Sequence, residues 1–437
     1  MKSIKNLKLT RPSKAEVSKW EVVRLYGGKA FPILCLALVS LLASCSHKTT
    51  IVKPAARKGI VSIPFAEAAD KVRPAKLSEI ADSVAYLPLE TCDSSFIRST
   101  YLDFMNRYIY GDRKVFNWKG KYLCTIGHSG QGPGEDGIRM IAITDDAFYS
   151  LGDKLVKYDT TGVYAGLETR YMNEYESPVV CPLEVTNAGN KHIAIFTGDT
   201  LYFFNSDLNI VKAERVVPPW PERTMELNRQ IVRDYFTDYD DSVLFYNYAN
   251  DTIYRLLDNS VSPRWVMDLG KEKLPLKYVL GDENRIFIAT FNAYEGRPGA
   301  DYYKLTDNKI HVHAVYETPD FLIIEWRRFR DYAELRHLAP LPYQTAYYNK
   351  RTGQCVAVKG GDGFIDDLGV LGHFRPLGTH GDYMIRAYWP FELRKDADSL
   401  QHIGKTVDPH LVQMLDTIHD DSNPVLVMVH LKMQKKL

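Results

Sequence analysis

Long apolar runs are scarce in this 437-residue sequence, and the uncharged stretch over residues 31–44 has only 14 residues, short of the ~20 that a helix needs to cross a bilayer. A charge excess of either sign is missing too. The 55 basic and 54 acidic residues leave +1, and most of the basic excess sits in the first 44 residues, so nothing suggests a nucleic-acid footprint. Cysteine is sparse. Once Cys35 and Cys45 are set aside, Cys92, Cys124, Cys181 and Cys355 stand apart with no C-x-x-C spacing, which argues against a zinc site or a thioredoxin-type motif. They read as buried apolar residues; an oxidising compartment permits disulfides, and three pairings stay open. Long helical periodicity is nearly absent, and the best helix candidates are residues 223–236 and 409–419. No G-x-S-x-G elbow, H-E-x-x-H pair or other catalytic signature occurs. Enzymatic activity is the minority reading.

What the chain does have begins with a leader. Lys2, Lys5, Lys8, Arg11, Lys14, Lys19, Arg24 and Lys29, against only Glu16 and Glu21, precede the apolar stretch, as in an n-region held on the cytoplasmic side. Leu42-Ala43-Ser44-Cys45 closes it and resembles the bacterial lipobox. The expectation is a signal peptide over residues 1–44, lipidation of Cys45, and a flexible small-residue tether over 45–71. A folded domain is expected over 72–437.

That domain reads as all-β. Short apolar or alternating runs, each closed by Gly, Asn or Asp, occur at 84–89, 108–110, 122–126, 192–196, 201–204, 243–248, 285–290, 321–325, 383–388 and 425–431, the pattern of many antiparallel strands. The 28 Tyr, 18 Phe and 6 Trp agree with it. Repetition narrows the class. Val115-Phe116-Asn117-Trp118-Lys119-Gly120-Lys121-Tyr122-Leu123 is echoed by Val156-Lys157-Tyr158-Asp159-Thr160-Thr161-Gly162-Val163-Tyr164 and, more loosely, by residues 347–357. Each is a strand, a tight polar turn with Gly where positive φ is wanted, and a second strand. Such a unit cannot bury both faces alone, so radial stacking is economical. The 393 residues left after the leader suit six to eight blades of roughly 40–50 residues.

Residues 76–91, Phe116-Asn117-Trp118-Lys119-Gly120-Lys121, residues 126–135, Asn250-Asp251-Thr252-Ile253-Tyr254, residues 263–270, Gly363-Phe364-Ile365-Asp366-Asp367 and Asn423-Pro424-Val425-Leu426-Val427 follow in an order that resembles the six-bladed β-propeller lipoproteins of Gram-negative gut anaerobes, with NHL-repeat-like blades. Asp366 stands where that family often has Asn, and His128 and Asp136 vary a loop that usually continues with an aromatic residue. The resemblance implies six blades of four antiparallel strands in the cell envelope, and brings little chemistry. A ring of this kind is expected to close by pairing residues 425–431 with strands from the start of the mature chain.

Candidate sites are few. Gly130-Gln131-Gly132-Pro133-Gly134 lacks the Gly-Lys-Ser/Thr ending of a phosphate loop and reads as a turn. His311-Val312-His313 puts two imidazoles on one strand face, without a carboxylate to complete a metal set, and reads as surface histidines. Asp238, Asp240 and Asp241, and Asp362, Asp366 and Asp367, lack EF-hand spacing and suit turn and capping roles. The densest basic-aromatic stretch is Trp326-Arg327-Arg328-Phe329-Arg330 with Tyr332, a mixture that stacks on sugars or peptide side chains and grips carboxylates. Tyr294, Arg297 and Trp220 are second-rank candidates in loops. Together these suggest an envelope protein, anchored by lipid to an outer membrane and facing the periplasm, that binds a glycan, a peptide or a partner protein. No cofactor is implied. The rival is a lactonase- or lyase-like propeller enzyme with an axial metal.

Overall fold

The chain enters its fold through β1 (Ala56–Arg57), β2 (Ile60–Ile63), α1 (Phe65–Asp70) and β3 (Ala81–Pro88). These come from a computed structural model that describes residues 56–57, 60–137, 140–152, 154–170, 184–189, 191–197, 200–216, 236–246, 251–273, 308–328 and 343–433. Six antiparallel blades follow. Blade 1 is β4 (Asp103–Phe104), β5 (Tyr108–Gly111), β6 (Lys114–Asn117) and β7 (Tyr122–Thr125). Blade 2 is β8 (Met140–Ile143), β9 (Phe148–Leu151), β10 (Lys154–Tyr158) and β11 (Tyr164–Arg170). Blade 3 is β12 (Glu184–Asn187), β13 (Ile193–Phe196), β14 (Thr200–Phe204) and β15 (Ile210–Arg215). Blade 4 is β16 (Phe236–Tyr239), β17 (Ser242–Tyr246), β18 (Thr252–Leu257) and β19 (Ser260–Met267). Blade 5 is β20 (Ile310–Glu317), β21 (Phe321–Arg328), β22 (Gln344–Asn349) and β23 (Cys355–Ala357). A two-stranded hairpin, β24 (Phe364–Ile365) and β25 (His373–Phe374), precedes blade 6, which is β26 (Gly378–His380), β27 (Tyr383–Tyr388), β28 (Val425–Leu431) and, outermost, β3.

The first strand of each blade is the inner one, and inner strands touch their neighbours, β8 with β12, β16 with β20 and β26 with β4. Each blade is apolar on both faces, so the core is six slabs rather than one. On β13, Ile193 and Ile195 pack toward blade 2 with Tyr149 and Leu155, while Ala194 and Phe196 pack toward blade 4 with Val243 and Phe245. This follows from strand geometry, since successive side chains leave opposite faces. It explains why Ile193–Phe196 is buried throughout instead of alternating with polar residues. Each large side chain sealed in a slab contributes roughly 1.5–3 kcal/mol.

The ring closes as the sequence implies. Along β28, Val425, Leu426 and Val427 pair antiparallel with Pro88, Leu87 and Tyr86 of β3, so the last blade takes its outer strand from the start of the domain. Asn423, 1% exposed, fastens the join: Ile97 N donates to its Oδ1 at 2.9 Å, and its Nδ2 donates to the carbonyls of Glu90 and Ser95 at 2.7 and 3.0 Å. The echoed turns also appear. Asn117 Oδ1 accepts from Lys119 N and Lys121 N, and Asp159 Oδ1 from Thr161 N and Val163 N. Gly120 and Gly162 follow at φ 75° and 83°, and a Cβ on Gly120 would collide with the Pro88 carbonyl of the closing strand.

The tether expected over 45–71 is folded from Ile60 onward. β2 runs parallel to β19, Trp265 opposite Val61, and β1 adds a sixth strand to blade 4. Ile63, Phe65, Ala68 and Ala69 are buried between blades 4 and 5. The chain then bridges at Arg73 to Val358 and at Lys76 to Ile365 before becoming β3, so residues 60–88 strap the outer edges of three consecutive blades. Within blade 6, β27 and β28 are separated by α2 (Pro390–His402) and α3 (Pro409–Asp416). Both start with Pro at the first turn, where a missing N–H costs nothing, and Asp408 caps α3 through His410 N at 2.9 Å. The helix expected at 409–419 is therefore present. The one expected at 223–236 lies outside the described residues except for Phe236, which begins β16.

Candidate functional site

The hairpin turns joining each inner strand to the second strand of its blade converge on the ring axis and surround a polar depression of about 980 Å³. All six blades contribute: Asn106 and Arg107, Asp145, Gly189 and Lys191, Asp240 and Asp241, Pro319, and His380 with Gly381. The turns are built locally. Thr144 Oγ1 accepts from Ala147 N and donates to its carbonyl, and Thr318 Oγ1 does the same with Phe321, so two blades repeat one device. Exposed tips pair sideways, Arg107 with Asp145 at 3.1 Å and Lys191 with Asp146 at 3.1 Å. The blade 1 turn reaches blade 4, which faces it across a six-membered ring: Asn106 N donates to Asp238 Oδ2 at 2.8 Å, and Asn106 Nδ2 donates to the Asp240 carbonyl. Burial pushes the Asp238 carboxyl up to about 6, only partly opposed by the Asn106 N–H. At the rim, Trp118 stacks on His380 with ring centroids 3.7 Å apart, and burial lowers the basicity of that imidazole.

The wall between blades 4 and 5 carries the most concentrated charge. Glu317, 2% exposed, accepts Arg264 Nε and Nη2 at 2.6 and 2.7 Å, Lys350 Nζ at 2.5 Å and Trp265 Nε1 at 3.3 Å. Arg264 reaches inward because β19 bulges there: Ile253 pairs with Trp265 and Tyr254 with Pro263, leaving Arg264 out of register. Arg264 and Lys350 both lie over the Tyr239 ring, at 5.4 and 4.9 Å. Burial pushes Lys350 below its ordinary value.

The residues anticipated from sequence are dispersed. Trp326, expected on an accessible surface, is 1% exposed and packs edge-on against Phe65, with centroids 5.4 Å apart, because alternate β21 side chains enter the slab between blades 4 and 5. Arg328 is committed to structure, pairing with Asp70 at 2.8 Å and Glu272 at 2.7 Å and donating to the Asn308 carbonyl, which ties the strap to blade 5. Arg327 lies over Tyr343 at 4.7 Å. Tyr343 stacks on His313 at 4.3 Å, and Arg375 pairs with Glu325 at 2.8 Å. His311 is 2% exposed rather than on the surface. Burial first, then Arg327, lowers both imidazoles, His313 to about 4. Arg330, Tyr332, Tyr294, Arg297, Trp220 and Cys45 lie outside the described residues.

Asp366 and Asp367 have the expected turn roles: Asp366 accepts from Leu368 N, Gly369 N and Leu371 N, and Asp367 from Ser78 N and Oγ. The glycine loop is a turn held by Glu135 Oε2 on Gly132 N and by Tyr158 Oη on the Gly134 carbonyl. Cys92, Cys124 and Cys355 are free thiols; Cys124 is buried, but Cys92 is exposed, unlike the buried residue expected. Among the described residues no group of three or more His, Cys, Asp or Glu is arranged to hold a metal ion. Sequence reasoning missed the axial turns themselves, although short polar breaks such as Asn106-Arg107, Asp145-Asp146 and Asp240-Asp241 between apolar strands were visible.

The chain belongs to the family described as a domain of unknown function, DUF4934, which it matches over residues 60–430. Among solved structures it is similar to a Bacteroides fragilis protein described as exported, at 16% identity and a TM-score of 0.56, over 83% of this chain and 98% of that one. It is also similar to BamB from Moraxella catarrhalis, at 12% identity and a TM-score of 0.31 over 71% and 86% of the two chains. Glutaminyl cyclase from Myxococcus xanthus gives 11%, 0.27, 59% and 95%. No curated protein matches the sequence.

Proposed function

We propose that this protein is an exported binding protein of the cell envelope, anchored by lipid at Cys45 to an outer membrane and facing the periplasm, with NHL-like blades that present a ligand site on the propeller axis. The observation that carries the reading is a polar depression to which all six inner hairpins contribute. A site so built is rigid, because each turn is held by a paired strand, and it sets many donors and acceptors beside apolar lining such as Met105, Tyr108 and Tyr239, which suits a glycan, a peptide or a partner surface. The leader and Leu42-Ala43-Ser44-Cys45 support the address.

A glycan and peptide array probed with wild type and with the Arg107→Glu/Lys191→Glu double variant tests the site. Both side chains are exposed at the turn tips, so folding is retained. Ligands that bind wild type are expected to lose at least tenfold in affinity, and unchanged binding would move the site elsewhere.

A further inference from the structure

On the wall between blades 4 and 5, one arginine is left without a carboxylate partner among the described residues. Arg255 and Arg264 both act on the Tyr239 phenol, and the buried Glu317 takes both nitrogens of Arg264 together with Lys350. Asp320 is engaged by Arg351 at 2.9 Å, and Asp240 stands at the rim of the depression. Arg255 lines that depression. Its Nε is buried with no hydrogen-bond partner, and no carboxylate pairs with it, among the described residues. On the sheet, Arg255 lies opposite Leu244, which faces blade 5, so its side chain leaves the same face. It acts electrostatically on the Tyr239 phenol together with Arg264, Glu317 and Asp240.

Arg255 is half-buried and lines the depression with its Nε unpartnered among the described residues, so a ligand in the depression can supply the acceptor that the protein does not. Arginine's planar fork matches a carboxylate in two-point geometry. Around it the depression offers Asn106, Asn187, Asp238, Asp240 and Asp241, a set of acceptors and amides suited to hydroxyl groups. Additional acids at the rim disfavour a densely charged polyanion. We infer that Arg255 is the carboxylate subsite of a saccharide-binding depression, and that the ligand is a mostly neutral saccharide carrying a uronate. This rests on the axial reading of the site made under Proposed function.

The test is calorimetric titration of the folded, exported domain with glucuronate, glucose and inorganic phosphate at constant ionic strength, with hydrogen-exchange footprinting of the complex. Glucuronate should bind at least tenfold more tightly than glucose or phosphate. Arg255→Gln should weaken glucuronate at least tenfold at an unchanged melting temperature, and Arg255→Lys, which keeps the charge but not the fork, should fall between. No glucuronate binding at 20 mM on the order of weak sugar sites, equal binding of glucose, or phosphate binding as tightly as glucuronate would overturn the subsite. If protection falls on the axial turns while Arg255→Gln binds like wild type, the subsite is wrong and the axial site stands. Protection elsewhere overturns both.

Discussion

Asp238→Asn should make the protein more stable at neutral pH, an unusual direction for removing a hydrogen-bonded carboxylate. Burial raises the Asp238 carboxyl from its ordinary 3.8 to about 6, so between these values the folded chain holds a proton that the unfolded chain has released. Stability therefore falls as pH rises through this window, and above pH 6 the whole penalty is present. A rise of that size corresponds to at most about 3 kcal/mol. Asp238 is only partly buried and opens on the depression, so water access reduces the figure to about 1–1.5 kcal/mol. The Asn106 N–H, 2.8 Å away, keeps an acceptor in the amide oxygen but loses its charge assistance, which takes back about 0.5 kcal/mol. The net expectation is a gain of about 1 kcal/mol at pH 7.5 that shrinks as pH falls toward the ordinary value of 3.8 and vanishes below it, where both states are protonated. Urea titrations at the two pH values, monitored by tryptophan fluorescence, measure it. A variant that is less stable at pH 7.5, or whose difference from wild type does not change with pH, would show that Asp238 ionises normally and that its site is wet.

Two further substitutions probe the frame. Trp326→Ala should destabilise by about 3–5 kcal/mol through the cavity left beside Phe65, measured as a lower denaturation midpoint with ligand affinity retained; a stability loss under 1 kcal/mol would mean the ring is not packed in that slab. Asn423→Ala removes four hydrogen bonds to residues 90–97 and leaves buried backbone groups unpaired, so about 2–3 kcal/mol should be lost, with hydrogen exchange accelerating first along β3 and β28. Unchanged exchange there would place ring closure elsewhere.

The fold was more legible than the site because its cause is repetitive. Turns such as Asn117 to Gly120 and Asp159 to Gly162 need a side-chain acceptor and a positive φ, so the chemistry appears in the letters themselves. The closing pair of β3 and β28 was anticipated because a ring must join its ends. α1 escaped notice because Phe65–Asp70 is six residues long and rich in alanine, which reads as a linker when the slab that receives Phe65 is unseen. α2 escaped because its buried positions, Pro390, Leu393 and Ala397, form a thin stripe through a charged segment. The Trp326-Arg327-Arg328 stretch misled for a physical reason. Strand alternation sends Trp326 inward, and Arg328 finds Asp70 and Glu272, which are 258 and 56 residues distant in sequence. Ion pairs of that range leave no local trace. The axial depression is likewise a product of ring closure, since no single turn has the chemistry that six of them make together.

A ligand is expected to meet those six turns, and hydrogen-exchange footprinting of the full-length protein with a bound array ligand tests this most directly. Protection is expected at 105–107, 144–147, 187–189, 238–241, 317–320 and 379–381, contributed by all six blades around one mouth. Protection confined to the outer strands of the blades, with those turns exchanging as in the free protein, would contradict it.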